Sequence, residues 1–238
     1  MDSKLTPIVY DKSFLSVYSN DVVKASQRMT LKEMKLLQIV ISQIVRNDTD
    51  FRTYTTTAVE YADFMNTSRQ NVYRDFLSIA KLIMSRYIEM KEDQKTKLIH
   101  WVESCEYDEK NHSITIRLSN ELKPYLLELQ RLYTQIELNT LISFKSYYTL
   151  RLYQLLVSEY GHSKKTHYFM TLEEIRTFFG VEKDKYKKPT DLLKKTLVFA
   201  INELNLTDLC RISNFIEIKS KSKGSPITAV EFTVDITL

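Results

Sequence analysis

Thr171-Leu-Glu-Glu-Ile-Arg-Thr-Phe-Phe-Gly180 is followed, after a lysine-rich stretch, by Pro189-Thr-Asp-Leu-Leu-Lys-Lys-Thr-Leu-Val-Phe-Ala-Ile-Asn-Glu-Leu204. Thr171 with Glu174 forms a capping box: the hydroxyl accepts from the backbone at the first turn, and the carboxylate reaches back to the cap. A short helix is predicted from there to Phe179, ended by Gly180. Pro189 lacks an N–H and suits the first turn of a second, longer helix, expected to run to about Asn205. Its apolar residues, Leu193, Leu197, Ala200, Ile201 and Leu204, fall on one face at helical spacing. A short helix, a turn and a longer helix make a helix-turn-helix. His167–Met170 before it reads as a strand. Arg211–Lys219 and Ile227–Ile236 after it read as two more, joined by Ser220-Lys-Ser-Lys-Gly-Ser-Pro226.

The same order occurs earlier in the chain. Thr30-Leu-Lys-Glu33 is another capping box, and Leu31, Met34, Leu37, Ile41, Ile44 and Val45 give the helix behind it an apolar stripe. Arg52–Thr57 is a predicted strand and Ala58–Asn66 a short helix. A polar turn, Asn66-Thr67-Ser68, precedes a longer helix over Arg69–Ser85. Its stripe is Val72, Phe76, Ile79, Ala80 and Ile83, the spacing of the later helix. Tyr87–Met90, Leu98–Cys105 and Ser113–Leu118 are expected strands, with polar links Lys91–Lys97 and Asp108–His112. Between the halves, Leu122–Leu132 is expected to be helical, with Pro124 in its first turn. Ser143–Tyr160 is a further helix, with Gly161 as C-cap. The repeated order predicts an α+β, helix-rich fold: two tandem winged-helix domains, each a helix-turn-helix plus β-hairpin, related by an internal pseudo-repeat. The expected division is 1–135 and 136–238.

Composition narrows the chemistry. The 238 residues suit two domains at roughly 100–200 residues per domain, and the 43% hydrophobic share can fill two cores. With only three glycines, Gly161, Gly180 and Gly224, no phosphate-cradling glycine loop can be built, which removes P-loop and dinucleotide-binding folds. Two cysteines, Cys105 and Cys210, make neither a CxxC pair nor a disulfide framework. Residues 1–10 carry no apolar run of signal-peptide length, and no stretch is apolar enough to span a bilayer. A cytoplasmic location is expected. The histidines, His100, His112, His162 and His167, stand at no metal-ligand spacing, and no nucleophile elbow is present. Neither catalysis nor a metal or other cofactor is expected.

The net charge of +4 is modest, so its placement matters more than its size. In a helix-turn-helix the second helix enters the major groove. Lys187, Lys188, Thr190, Lys194 and Lys195 are expected to gather at one end of that helix in the second domain, where phosphates are natural partners. Thr190 and Lys194 have chemistry that can address base edges. Lys219, Ser220, Lys221, Ser222 and Lys223 would form a basic wing tip. In the first domain the equivalent helix opens Ser68-Arg69-Gln70-Asn71 and continues to Arg74. Arginine suits guanine there, and glutamine or asparagine suits adenine. The stretch Lys91–Lys97 is the candidate wing, but Glu92 and Asp93 balance its lysines, which favours dimer contacts over DNA.

Several segments together resemble the Rep_3 family of plasmid replication initiators. They are Val22–Leu37, the stretch Leu141-Ile-Ser-Phe-Lys-Ser-Tyr-Tyr-Thr-Leu-Arg-Leu-Tyr-Gln-Leu-Leu156, and Leu172–Gly180 followed by Tyr186, Asp191-Leu192 and Ala200–Glu203. The second is similar to the family's Arg-Leu-Tyr-Glu-Leu-Leu pattern. The resemblance spans roughly residues 20–237. It implies sequence-specific binding of double-stranded DNA at directly repeated origin sites, the iterons, with recruitment of a host initiator and helicase. It also implies a dimer, formed mainly through the first domain, that represses its own gene. Lys187, Lys188, Lys194 and Lys195 match positions that are usually basic in the family, though Thr196 interrupts what is often a longer basic run. The residues alone leave open a dimeric transcriptional regulator, which would prefer an inverted repeat. An interaction adaptor, or a metal-dependent nicking enzyme, is a more distant reading.

Overall fold

The computed structural model describes residues 5–45, 47–129, 132–222 and 224–237. In chain order the elements begin with β1 (Leu5–Pro7), β2 (Leu15–Ser19), α1 (Asn20–Lys24), β3 (Ser26–Gln27) and α2 (Leu31–Ile41). Then come β4 (Thr53–Thr57), α3 (Ala58–Phe64), α4 (Arg69–Met84), β5 (Tyr87–Glu92), β6 (Lys95–His100), β7 (Val102–Asp108) and β8 (Ser113–Leu118). After a 3-10 turn at Asn120–Leu122 follow α5 (Lys123–Leu126), β9 (Tyr133–Glu137), α6 (Leu138–Ser143) and α7 (Tyr147–Ser163). The chain closes with β10 (His167–Thr171), α8 (Leu172–Phe178), α9 (Pro189–Lys195), α10 (Leu197–Leu204), β11 (Cys210–Lys219) and β12 (Ile227–Ile236).

The elements pack as two compact units. One holds the chain up to Val22 and Met29–Ser143; the other holds Val23–Arg28 and everything from Phe144 onward. The division therefore falls after Ser143 rather than after Gln135, and a short N-terminal segment counts with the later unit. Arg151 explains that segment. Its fully buried guanidinium donates to the carbonyls of Val23 at 2.8 Å and Ala25 at 2.9 Å, and stacks 4.6 Å from the Phe178 ring centre. Tyr147 adds a hydroxyl hydrogen bond to the Gln27 carbonyl at 2.6 Å.

The two units repeat one topology. In the first, α2 precedes β4, α3 and α4, and the sheet order β4-β8-β7 follows. In the second, α7 precedes β10, α8, α9 and α10, and the order is β10-β12-β11. In each the strand before the helix-turn-helix pairs with the last strand of the hairpin, which is a winged helix. The first unit adds β1, parallel to β4, and the antiparallel pair β2–β9. Both repeated stripes are core: Val72, Phe76, Ile79, Ala80 and Ile83 are buried, as are Leu193, Leu197, Ala200, Ile201 and Leu204.

Caps place the helices as the sequence predicts, with one more than expected. Thr30/Glu33 and Thr171/Glu174 form reciprocal capping boxes, and so does Thr57/Glu60 at the start of α3. Glu33 is fully buried and also takes Arg86 in a two-point ion pair, at 2.6 and 3.2 Å. A charge that deep is tolerable because the guanidinium and the cap both satisfy it.

Several expectations change. By sheet topology the first unit's wing is β7–β8, closed by Glu109–His112, and not Lys91–Lys97. The latter stretch forms part of an inserted antiparallel hairpin, β5–β6. Leu98–Cys105 is split at Trp101, whose backbone pairs with Arg86 and Ser119 instead of a sheet neighbour. Leu122–Leu132 is helical only over its first residues, and β9 follows. The helix expected from Ser143 starts at Tyr147, because Ser146 caps it by accepting from the Tyr148 N–H. Gly161 lies inside α7, and Lys164, at φ 55°, is the left-handed C-cap. The helix expected over 189–205 is broken at Thr196. There the backbone turns to φ −122°, ψ −89°, and the buried hydroxyl donates to the Leu192 carbonyl at 2.7 Å.

Candidate nucleic-acid interface

In the second unit the turn between α8 and α9 is fixed from beneath. The Arg176 guanidinium, on α8, donates to three main-chain carbonyls: Glu182 at 2.7 Å, Lys185 at 2.7 Å and Tyr186 at 2.9 Å. Carbonyls of a loop that curls around one cation need no other donor, and charge-assisted hydrogen bonds are the stronger kind. Tyr186 adopts φ 51° there. Tyr148 packs edge-on against Phe179. Burial, and after it the Tyr186 phenol, push the Tyr148 hydroxyl up to about 12, so it stays a donor. Gly180 ends α8 at φ 62°, with the Gln27 carbonyl directly against the position a Cβ would take. Arg176 is not among the residues that sequence reasoning singles out. Nothing in its spacing marks it, since only the folded loop brings the carbonyls to it.

Around this braced turn the expected lysines are exposed. Lys187 and Lys188 lead into α9, Lys188 being its N-cap, and Thr190 lies in its first turn. Lys194 and Lys195 do not join them at that end. The break at Thr196 makes α9 seven residues long, and both lysines occupy its last turn. Cations there complement the negative end of the helix dipole. Asp184 and Asp191 are exposed in the same stretch, and Glu182 is held by Arg28. At the tip of β11–β12, Lys219, Lys221 and Ser222 are exposed, and the Ser220 N–H donates to the Pro226 carbonyl to close the turn. Lys223 lies outside the described residues.

The first unit is different. Ser68, Arg69, Gln70, Asn71 and Arg74 are all exposed at the start of α4. Arg69 is already engaged: it meets Asp63 at 2.7 and 2.6 Å. Arg74 reaches Asp75 at 3.2 Å, and Asp75 also takes Lys32. Ser68 makes no side-chain cap bond. The true wing tip, Glu109-Lys110-Asn111-His112, is not basic. Among the described residues no group of His, Cys, Asp and Glu is arranged to hold a metal, and no helix is long and apolar enough to cross a membrane.

Residues 15–157 match the family model of the first winged-helix domain of initiator replication proteins, and residues 171–234 match the model of the second. The chain belongs to the initiator replication protein family. A curated replication initiation protein from Escherichia coli is 22% identical over 233 residues, covering 96% of this chain and 70% of that one. The fold of the initiator in the crystal structure of the Pi initiator protein in complex with iteron DNA aligns with a TM-score of 0.67. It covers 95% of this chain and 99% of that one at 16% identity, so the likeness is one of fold.

Proposed function

We propose that this initiator binds directly repeated duplex DNA at a plasmid origin, and acts there by binding rather than by catalysis. The observation that carries the reading is a helix-turn-helix whose turn is braced by Arg176, so that Lys187, Lys188, Thr190, Lys194 and Lys195 stand exposed on one short segment. In this reading the lysines take phosphates and set register, and Thr190 or Lys194 addresses base edges. The wing, through Lys219, Lys221, Ser222 and Lys223, rests on the adjacent backbone. The second unit is the main DNA-binding domain. The first makes an auxiliary contact through Ser68, Arg69, Gln70, Asn71 and Arg74, and carries the dimer contacts. As a monomer the chain opens the origin and engages a host initiator and helicase in the cytoplasm; as a dimer it represses its own gene.

The test is fluorescence-anisotropy binding of the full chain to the repeats flanking its gene. Direct repeats, an inverted repeat and a scrambled duplex are compared at two salt concentrations. A preference on the order of 10³-fold for single direct-repeat units over scrambled DNA, falling steeply with salt, is expected. Preference for the inverted repeat alone would make the chain a dimeric regulator instead. Equal binding to all three would remove the proposal.

A further inference from the structure

The outward face of α10 holds a residue that the lysine pattern does not account for. Phe199 is 50% exposed, in the third position of a helix that otherwise buries its large apolar side chains: Leu197, Ile201 and Leu204 are all in the core. Asn202, about one turn further along α10, is exposed on the same side, and the exposed Lys195 closes α9 just before the break at Thr196. That side is held in place. Glu203, on the same helix, accepts from the Lys145 N–H at 2.6 Å and from the Thr149 hydroxyl at 2.6 Å, so α10 cannot roll Phe199 inward against α7. At the end of the helix Asn205 exchanges hydrogen bonds with the Ile212 backbone at 2.7 and 2.9 Å, fixing the register against β11.

A half-exposed aromatic ring on the second helical segment of the helix-turn-helix, the part such a fold offers to the major groove, has one apolar match there. Of the four bases only thymine presents an apolar group in the major groove, its C5 methyl. Phosphates and the polar base edges offer a phenyl ring nothing. We infer that Phe199 is a specificity-determining residue that packs on a thymine methyl of the bound repeat, while Lys195 and Asn202 on either side meet phosphate and base edge. The inference rests on the proposed DNA-binding role of the second unit. It adds a prediction about sequence: the bound repeat holds a thymine at the position under α10.

The test uses the full chain and the repeat that it binds. Each thymine of the repeat is replaced in turn by deoxyuridine, which removes only the methyl group. Anisotropy titrations are run with the unaltered protein, with Phe199→Ala and with Phe199→Leu. One deoxyuridine position is expected to weaken the unaltered protein about three- to five-fold, the worth of one methyl-sized group returned to water. Phe199→Ala is expected to weaken binding to the thymine duplex and to be indifferent to that deoxyuridine. Phe199→Leu keeps a partial response. Thermal melting of both variants should match the parent, because the ring is half-exposed. Indifference of the unaltered protein to every deoxyuridine, with repeat binding intact, would overturn the inference and leave the functional reading standing. So would Phe199→Ala binding as the parent does, or keeping the full deoxyuridine penalty; such an exposed ring would then face a protein partner. Absence of any preference for the repeat removes both.

Discussion

Arg69 and Asp63 face each other across the turn of the first helix-turn-helix, Nε to Oδ1 at 2.7 Å and Nη2 to Oδ2 at 2.6 Å. Arg69 is the residue best suited to read guanine in that unit, and its hydrogen-bonding edge is already taken. The Arg69 guanidinium holds the Asp63 carboxyl below the usual carboxylate range, so the pair is intact at neutral pH. Engaging DNA through Arg69 requires exchanging a carboxylate for a phosphate or base. Asp63→Asn is therefore expected to tighten DNA binding about two- to five-fold at low salt, an effect typical of one exposed charge. Anisotropy titrations of the variant measure it. Unchanged affinity would mean that Arg69 does not reach the duplex.

Lys194 and Lys195 stand in the last turn of α9 without a carboxylate partner among the described ion pairs. Replacing both with Ala is expected to weaken binding and to lower the slope of log K against log salt by roughly one unit per lost phosphate contact. Titrations at four salt concentrations give the slope. A parallel line through the parent data would place the phosphate contacts elsewhere.

Arg176 predicts a different signature. Its three carbonyl bonds, through both Nη atoms, commit most of the guanidinium to shaping the approach to α9. Arg176→Ala should cost about 1–3 kcal/mol of stability, the range for a lost charge-assisted network at a half-exposed site. It should also reduce the preference for the repeat over scrambled DNA while the salt slope stays as in the parent. Denaturant melts and the two-salt titration separate these. A reduced slope would show that Arg176 touches phosphate itself.

Gly180 is held by both its backbone conformation and its neighbours. At φ 62°, with the Gln27 carbonyl carbon 2.8 Å from where a Cβ would stand, a side chain there meets both backbone strain and backbone atoms. Gly180→Ala is expected to destabilise the second unit by about 2–4 kcal/mol. Gly161→Ala, inside α7 with open space around it, should stabilise by about 0.5–1 kcal/mol. Thermal melts of the two variants should shift in opposite directions.

The thiol of Cys210 is pushed up to about 11 by burial, and that of Cys105 likewise. A raised folded-state value means that ionisation opposes folding. The cysteines therefore cost nothing at neutral pH and weaken the fold only as pH rises past the ordinary thiol range. Both should react with alkylating reagents at pH 8 far more slowly than in the unfolded chain. Mass spectrometry of a timed alkylation checks this, and rapid native labelling of Cys210 would contradict its burial.

The local signals in this sequence were strong enough to establish the repeated helix-turn-helix, since capping boxes and helical stripes are set by neighbours within a few residues. Thr30/Glu33, Thr171/Glu174, and the Val72 and Leu193 stripes all read correctly because their partners lie close by in the chain. Where the partner is distant, the sequence was silent or misleading. Lys91–Lys97 has the composition of a wing, yet the wing is β7–β8, because strand pairing with β4 decides which hairpin completes the sheet. Thr196 reads as an ordinary helix position, yet its backbone leaves helical geometry there and ends α9, so that Lys194 and Lys195 stand in a last turn and not within a longer helix. Arg151 and Arg176 are isolated cations in sequence, and become anchors only when Val23 and Ala25, or Glu182, Lys185 and Tyr186, fold around them. The order of residues was enough to set the elements, their duplication and the basic character of the second unit. Folding in three dimensions settled which charges are free, which are spent on carboxylates or carbonyls, and which aromatics, Phe199 among them, are left facing outward, because those outcomes depend on groups far apart in the chain competing for the same hydrogen bonds and the same core.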